Sequence, residues 1–312
     1  MAYRTEAGHR KAYADREVLL CGGVVNSPQL LMLSGIGPSQ HLRSHGIDLV
    51  HDLPGVGTNV QDHLVAPLVV VAPWARSSAQ ASSLASLLRF LLLRSGPLTG
   101  NASEACAFVR SDPSLEAPDL ELLFAPATSM AQALPTTKAR VARRLRRVRS
   151  LGAQPARPEP RLAVTIGATL LMPRSSGTIR LRSRDSRAAP AIDPGYLRDP
   201  GDEDLRLLVH GVQVAADVAR EAGFDVLAGS PLSSPFRADA SGGADASGGG
   251  GRGSGELETW VGRRALSLNH PVGSCKMGVD PMAVVDPRLR VHGIEGPRVV
   301  TRRSCPPSDG AR

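Results

Sequence analysis

Aromatic side chains are scarce in this sequence: two Trp, three Tyr and five Phe make up 3% of the chain. That leaves little material for a cage of rings around a cation. Cysteine is sparse too. Cys21, Cys106, Cys275 and Cys305 are widely spaced and form no CxxC pair. Neither a disulfide framework nor a zinc ribbon is expected, and reduced thiols are the default. No apolar run approaches the roughly 18–20 residues of a membrane-spanning helix. The opening stretch, MAYRTEAGHRKAY, has no apolar core of a secretory signal. A soluble, cytoplasmic protein is the expectation.

Acidic residues are in deficit, with 29 Asp and Glu against 37 Lys and Arg, a formal net charge of +8. Such a balance invites a nucleic-acid reading, so its distribution decides. Lys138 to Arg161 holds nine basic residues and a single acidic one, Glu159, which accounts for the whole excess. The stretch contains no aromatic residue and belongs to no recognised nucleic-acid module. It reads as a local insertion, and polyanion binding through it would be non-specific and steeply salt-dependent. Ala238–Gly255, dominated by Gly, Ser, Ala and Asp, reads as a flexible loop.

What is present is a 312-residue chain, 42% hydrophobic, long enough for one large or two medium domains. Its organising stretch is Glu17–Gly37, EVLLCGGVVNSPQLLMLSGIG. Glu17–Cys21 is an apolar run of strand length. Gly22-Gly23 lets the backbone turn sharply. Ser27 and Pro28 have the chemistry of a helix cap and first helical position. Leu30, Leu31 and Leu33 can bury one flank, and Ser34–Pro38 ends the helix. A strand, a glycine turn and a helix start together let backbone approach a ligand closely.

The remaining chain reads as follows. Residues 3–21 form a hairpin turning near Glu6-Ala7-Gly8. A short helix runs from Ser39 to Gly46, and Ile47–Val50 is a short strand. Leu53–His63, LPGVGTNVQDH, is a tight glycine-containing loop. Residues 65–73, Ala102–Asp112 and Asp119–Phe124 read as strands, and Leu84–Leu93 as a helix. Thr178–Ser183 alternates, with Ile179 and Leu181 inward and Arg180 and Arg182 outward. Asp202–Glu221 has apolar residues near helical spacing, at Leu205, Leu208, Val212 and Ala216.

Four blocks carry a family resemblance. GGVVNSPQLLMLSGIG resembles the second signature of the glucose–methanol–choline (GMC) flavin-dependent oxidoreductases, with Val24 in place of a small residue. LPGVGTNVQDH is similar to that family's LPGVGxNLQDH, with Val60 for Leu. LMPRSSGTIRLRSRDSRAAPAIDPGYL resembles the opening of its C-terminal domain, and NHPVGSCKMG (Asn269–Gly278) its HPxGTCxMG motif. The fold implied is α/β, two-domain: part of a Rossmann-like FAD-binding domain plus a substrate domain on an antiparallel β-sheet. The implied segments are 1–64 for the FAD domain and 65–265 for the substrate domain, with the family's C-terminal region opening at about residue 172. Residues 266–300 would return to the FAD domain and 301–312 form a tail outside the pattern.

The activity implied is oxidation of the CH–OH group of an alcohol, choline-like or another primary alcohol, with FAD as cofactor. His270 takes the position of the family's catalytic acid/base. Alkoxide is inaccessible near neutral pH, so a base must remove the hydroxyl proton as hydride leaves carbon for flavin N5. Taken alone, His270 would read as an ordinary structural histidine, and a zinc pair with Cys275 fits on residue type but lacks two further ligands. No metal is expected. Glu104, in SEACAFVRS, matches a glutamate that faces the substrate's ammonium group in choline-oxidising relatives; an exposed strand carboxylate is the competing reading. A histidine that some relatives carry near ALPTT (Ala133–Thr137) is replaced here by Gln132, Ala133 and Leu134, which puts choline itself in doubt. FAD contacts are implied for Gly22, Gly23, Asn26, Asn59, Asp62 and Asn269.

The family's GxGxxG strand–helix turn, which seats the FAD pyrophosphate, has no counterpart here. After Val300 the sequence TRRSCPPSDGAR leaves the family pattern. The expectation is a copy truncated upstream and altered near residue 300, either active or a catalytically inactive remnant.

Overall fold

A computed structural model describes residues 2–6, 8–71, 84–96, 98–100, 103–126, 163–224 and 254–301. The protein is mixed α/β and divides into two compact units, one of Met1–Asp62, Pro173–Pro200 and Asn269–Arg312, the other of His63–Met172 and Gly201–Leu268. The stretches Lys138–Arg161 and Ala133–Thr137 lie outside the described residues, as does Ala238–Gly255 up to residue 253.

In the first unit, β1 (Ala2–Thr5) and β2 (Gly8–Lys11) form an antiparallel hairpin at the expected turn. β3 (Val18–Leu20) does not extend it. It lies parallel to β13 (Pro297–Val299), Val18 opposite Pro297 and Leu20 opposite Val299. Beside this pair the Arg298 guanidinium donates to Glu17 Oε1, at 2.9 Å from Nε and 2.5 Å from Nη2. That hydrogen bond holds the Glu17 carboxyl below its ordinary range.

α1 spans Gly23–Leu33 with Gly22 as its cap. The Ser27-Pro28 pair that reads as a helix start lies inside the helix instead, because the Gly22-Gly23 turn already allows helical winding straight out of the strand. The buried flank also differs: Leu31 and Met32 are enclosed, and Leu30 is 44% exposed. α2 (Ser39–Ser44) follows as expected. The strand expected at Ile47–Val50 forms immediately after that span, at His51–Asp52. β5 (His51–Asp52) pairs in parallel with β4 (Ile36–Gly37), since the amides of Val50 and His51 both donate to the Gly35 carbonyl and bring the next residues alongside β4.

β10 (Thr178–Arg180) pairs antiparallel with β11 (Ala191–Asp193), with Ile179 and Leu181 buried as the alternation predicts. Arg180 departs from that reading. It is half-buried, donates to the Val56 carbonyl at 3.1 Å, and its guanidinium pKa is lowered by burial. The unit's core gathers Leu31, Met32, Leu42, Val56, Cys275 and Val299.

The second unit is built on a five-stranded antiparallel sheet in the order β12-β6-β9-β8-β7. The strands are β6 (Leu64–Val71), β7 (Ala105–Val109), β8 (Leu120–Ala125), β9 (Ala163–Leu170) and β12 (Leu266–Ser267). The central β9 is buried from Val164 to Leu170, which is why AVTIGATL lacks alternation: both faces are covered. One cover is α4 (Glu203–Glu221), whose Leu208, Val212, Ala215 and Ala219 are fully buried. Gly211 lets it approach closely, for a Cβ there would lie 3.0 Å from that of Ala168. α5 (Ser254–Arg264) packs against α4. In α3 (Leu84–Leu93) the buried side chain is Ser86, and leucines such as Leu84 and Leu92 face outward.

A pH dependence follows from the first unit. The Leu181 N–H donates to His41 Nε2 at 3.0 Å, which requires a neutral ring. Burial, then repulsion from His45 and Arg180, pushes His41 below its ordinary value of 6.5. The unfolded chain therefore binds this proton more readily. The stabilisation is fully present above about pH 6.5, is lost as pH falls through the interval below it, and levels off once folded His41 itself protonates. The urea midpoint is expected to be lower at about pH 5 than at about pH 7.5, and His41→Gln should remove this part of the difference.

Candidate active site

The loop Leu53–His63 is bonded to the backbone on both sides. Val60 exchanges hydrogen bonds with Gly177 at 3.0 and 2.7 Å, and Gln61 with Val272 at 3.1 and 2.8 Å. Gly57 N–H donates to the Ser274 carbonyl at 2.8 Å, and Ile179 N–H to the Gly57 carbonyl at 2.7 Å. Three blocks that share no neighbourhood in sequence, GVGTNVQD, SSGTI and HPVGSC, are thus one backbone-bonded body.

This body brings Asn59, Asp62, Asn269 and His270 together. The His270 N–H donates to Asp62 Oδ1 at 2.8 Å, and the Tyr196 hydroxyl donates to Asp62 Oδ2 at 2.6 Å. Asp62 is 6% exposed, so its carboxylate is spent on protein groups, whereas the His270 side chain is open to solvent. Asn59 and Asn269 both sit in the left-handed region, at φ 56° and 59°. Asn tolerates that conformation better than most residues, which supplies a backbone reason for asparagine at each position. Gly273, at φ 88°, passes so near this loop that a Cβ would lie 2.2 Å from the Asn59 carbonyl oxygen.

Gly22, Gly23 and Asn26 stand at the start of α1, which is tied to the same body where Ser274 Oγ donates to the Val24 carbonyl at 2.5 Å. Cys275, next in line, is 1% exposed, and burial pushes its thiol up to about 12. A thiol so hard to ionise is a core side chain, not a ligand partner for His270. Glu104 belongs to the other unit. It is exposed just ahead of β7, its N–H donates to the Phe124 carbonyl at 3.0 Å, and Phe124 stacks on Phe224 at 6.3 Å.

Sequence reasoning passed over Tyr196 and Ser274. Both sit in strings with family counterparts, AIDPGYL and HPVGSC. The usable signal was chemical: a tyrosine or serine in an otherwise apolar, glycine-rich string needs a hydrogen-bond partner once buried.

Comparison with known proteins places this arrangement. The GMC oxidoreductase family models match residues 1–65 and 173–308, which together make up well over half of the chain. The chain belongs to the GMC oxidoreductase family. It is 39% identical over 307 residues to an uncharacterised GMC-type oxidoreductase of Mycobacterium tuberculosis, covering 97% of this chain and 51% of that protein. An alcohol dehydrogenase [acceptor] of Pseudomonas putida is 35% identical, over 93% of this chain and 47% of its own length. An oxygen-dependent choline dehydrogenase of Rhizobium etli is 33% identical, over 92% and 46%. Among solved structures, a variant of Aspergillus oryzae formate oxidase, described in terms of its FAD modification, superposes with a TM-score of 0.70 at 25% identity, over 96% of this chain and 51% of that one. The GMC chain described here spans about half the length of the curated relatives it matches.

GMC relatives use FAD, and the residues at the start of α1 fit part of such a cradle. Gly22 provides no side-chain cap and the first turn holds no acidic residue, so the leading amides are available to oxygen acceptors. A Cβ on Gly22 would meet Asn26 Cβ at 3.0 Å and Ser27 N at 3.1 Å, whereas the space beside Gly23, at φ 73°, is open. One helical turn on, Ser27 Oγ is fully buried with no hydrogen-bond partner among the described residues.

The Gly273 contact gives a direct test of the clamped body. Gly273→Ala sets a Cβ against backbone at a left-handed φ, and should lower the free energy of unfolding by roughly 2 kcal/mol or more in urea titrations.

Proposed function

We propose that this GMC chain takes part in FAD-dependent oxidation of an alcohol CH–OH group, with His270 as the acid/base. The observation carrying this reading is the fixed seat of His270: an exposed residue on a loop whose backbone is held by a buried carboxylate and by the Leu53–His63 loop. Imidazole is the side chain suited to exchanging a proton near neutral pH. His270 would accept the hydroxyl proton of the substrate as the C–H bond breaks. FAD, when bound, supplies the hydride acceptor that no side chain can provide. Gly22, Gly23 and Asn26 would hold it through the amides at the start of α1, and Asn59, Asp62 and Asn269 through the shape of the loops they stabilise.

In this reading residues 1–64 and 266–300 are the FAD-binding part and 65–265 the substrate domain, and the protein works in the cytoplasm on a small alcohol, with no specific nucleic-acid partner. Support for the alcohol comes from the relatives named as alcohol and choline dehydrogenases. Glu104 would favour a substrate bearing a positive charge.

Visible absorbance of the purified chain with added FAD tests this. Flavin bands that survive gel filtration and bleach on adding choline or a neutral primary alcohol are expected, and His270→Ala should abolish bleaching with FAD still bound. No retained flavin would make the chain a catalytically inactive remnant. Glu104→Gln should raise KM for choline about tenfold, roughly 1.4 kcal/mol, and leave KM for a neutral primary alcohol unchanged. An equal effect on both alcohols would remove Glu104 from substrate binding.

A further inference from the structure

α1 contains a proline in its interior, Pro28. Proline lacks the N–H that would bond the carbonyl four residues earlier, which here belongs to Val24. That carbonyl is not left bare: it accepts the hydroxyl of Ser274 at 2.5 Å, and Ser274 is 1% exposed. Pro28 thus empties a place in the helix that the loop carrying His270 occupies. At the loop's other end, the His270 N–H rests on Asp62 Oδ1 at 2.8 Å, and Asp62 is braced by the Tyr196 hydroxyl at 2.6 Å. Between the two ends, Val272 pairs with Gln61.

We propose that Ser274 and Asp62 are positioning residues for His270, fixing its ring by tethering the two ends of its loop, to α1 at the carbonyl freed by Pro28 and to the Leu53–His63 loop. This rests on His270 being the base. Such tethering matters because the backbone of this loop fixes where the His270 ring is carried, and a displacement on the order of 1 Å can cost about 100-fold in rate.

A purely structural role for Ser274 would be to satisfy the Val24 carbonyl, and the two roles separate experimentally. Pro28→Ala restores an N–H to that carbonyl without restoring the tether. The experiment is NMR of the full chain labelled at histidine Cε1, with His270→Gln identifying the His270 resonance, alongside urea midpoints. Ser274→Ala and Asp62→Ala should move that resonance toward its position in the unfolded chain. Ser274→Thr and Asp62→Asn, which keep the hydroxyl and the acceptor, should leave it in place. In Pro28→Ala/Ser274→Ala the urea midpoint should recover while the resonance stays displaced. Recovery of both, or an unmoved resonance in folded Ser274→Ala or Asp62→Ala, would overturn the proposal. In FAD-loaded chain, Ser274→Ala should slow bleaching roughly tenfold or more by lowering kcat rather than raising KM. If the wild-type chain retains no flavin, the functional reading fails, and the resonance positions still decide whether these residues hold His270.

Discussion

The first unit depends on backbone hydrogen bonds that hold one loop between two others. Residues 57, 60 and 61 exchange bonds with residues 177, 179, 272 and 274, and the carboxylate at the end of that loop reaches a partner 208 positions away. Each bond is worth only about 1 kcal/mol net, too little to close such distances unaided. The closure is carried by the apolar cluster beneath, where Leu31, Met32, Val56, Cys275 and Val299 are buried together. The core supplies the energy and the backbone bonds supply the register, and together they determine where His270 stands.

Small residues follow from that geometry. Where two backbones meet as closely as Gly273 and Asn59, a side chain would occupy the place of a carbonyl oxygen. Asn59 and Asn269 serve the same end, with dihedrals that most side chains resist. Residues that a ligand-centred reading assigns to FAD are therefore also what the loops require in order to fold. The two explanations agree at Gly22 and Gly23, where the helix start carries no side-chain cap and the space beside Gly23 is open. They diverge at Asp62, whose two oxygens are engaged by His270 and Tyr196.

Much of this was legible in the sequence. The glycine turn, β6, β7 and β8, α2, α3 and α4 followed from local pattern, and the motif strings named His270 and Asp62. What was not legible depended on distant partners. Ser-Pro is a sound helix start in an isolated peptide, but Ser274, 250 residues from the Val24 carbonyl it satisfies, lets the proline sit inside α1 instead. Arg180 reads as outward by alternation, and turns back because the Val56 carbonyl offers it an acceptor. β9 hides its class because a strand covered on both faces has no reason to alternate. In each case tertiary context overrode a correct local preference.

Preorganisation and cofactor affinity are separable in this chain. The groups that hold the His270 loop, namely Asp62, Tyr196, Ser274 and the backbone of residues 57–61, are bonded to other protein groups. The groups offered to FAD are concentrated at the start of α1, a smaller set of contacts. A base already in position lowers the cost of reaching the transition state, but it contributes nothing to retaining a dinucleotide. Binding of FAD to the folded state would stabilise the fold by mass action in proportion to its affinity. The placement of His270 in this fold is thus a property of the first unit's own packing.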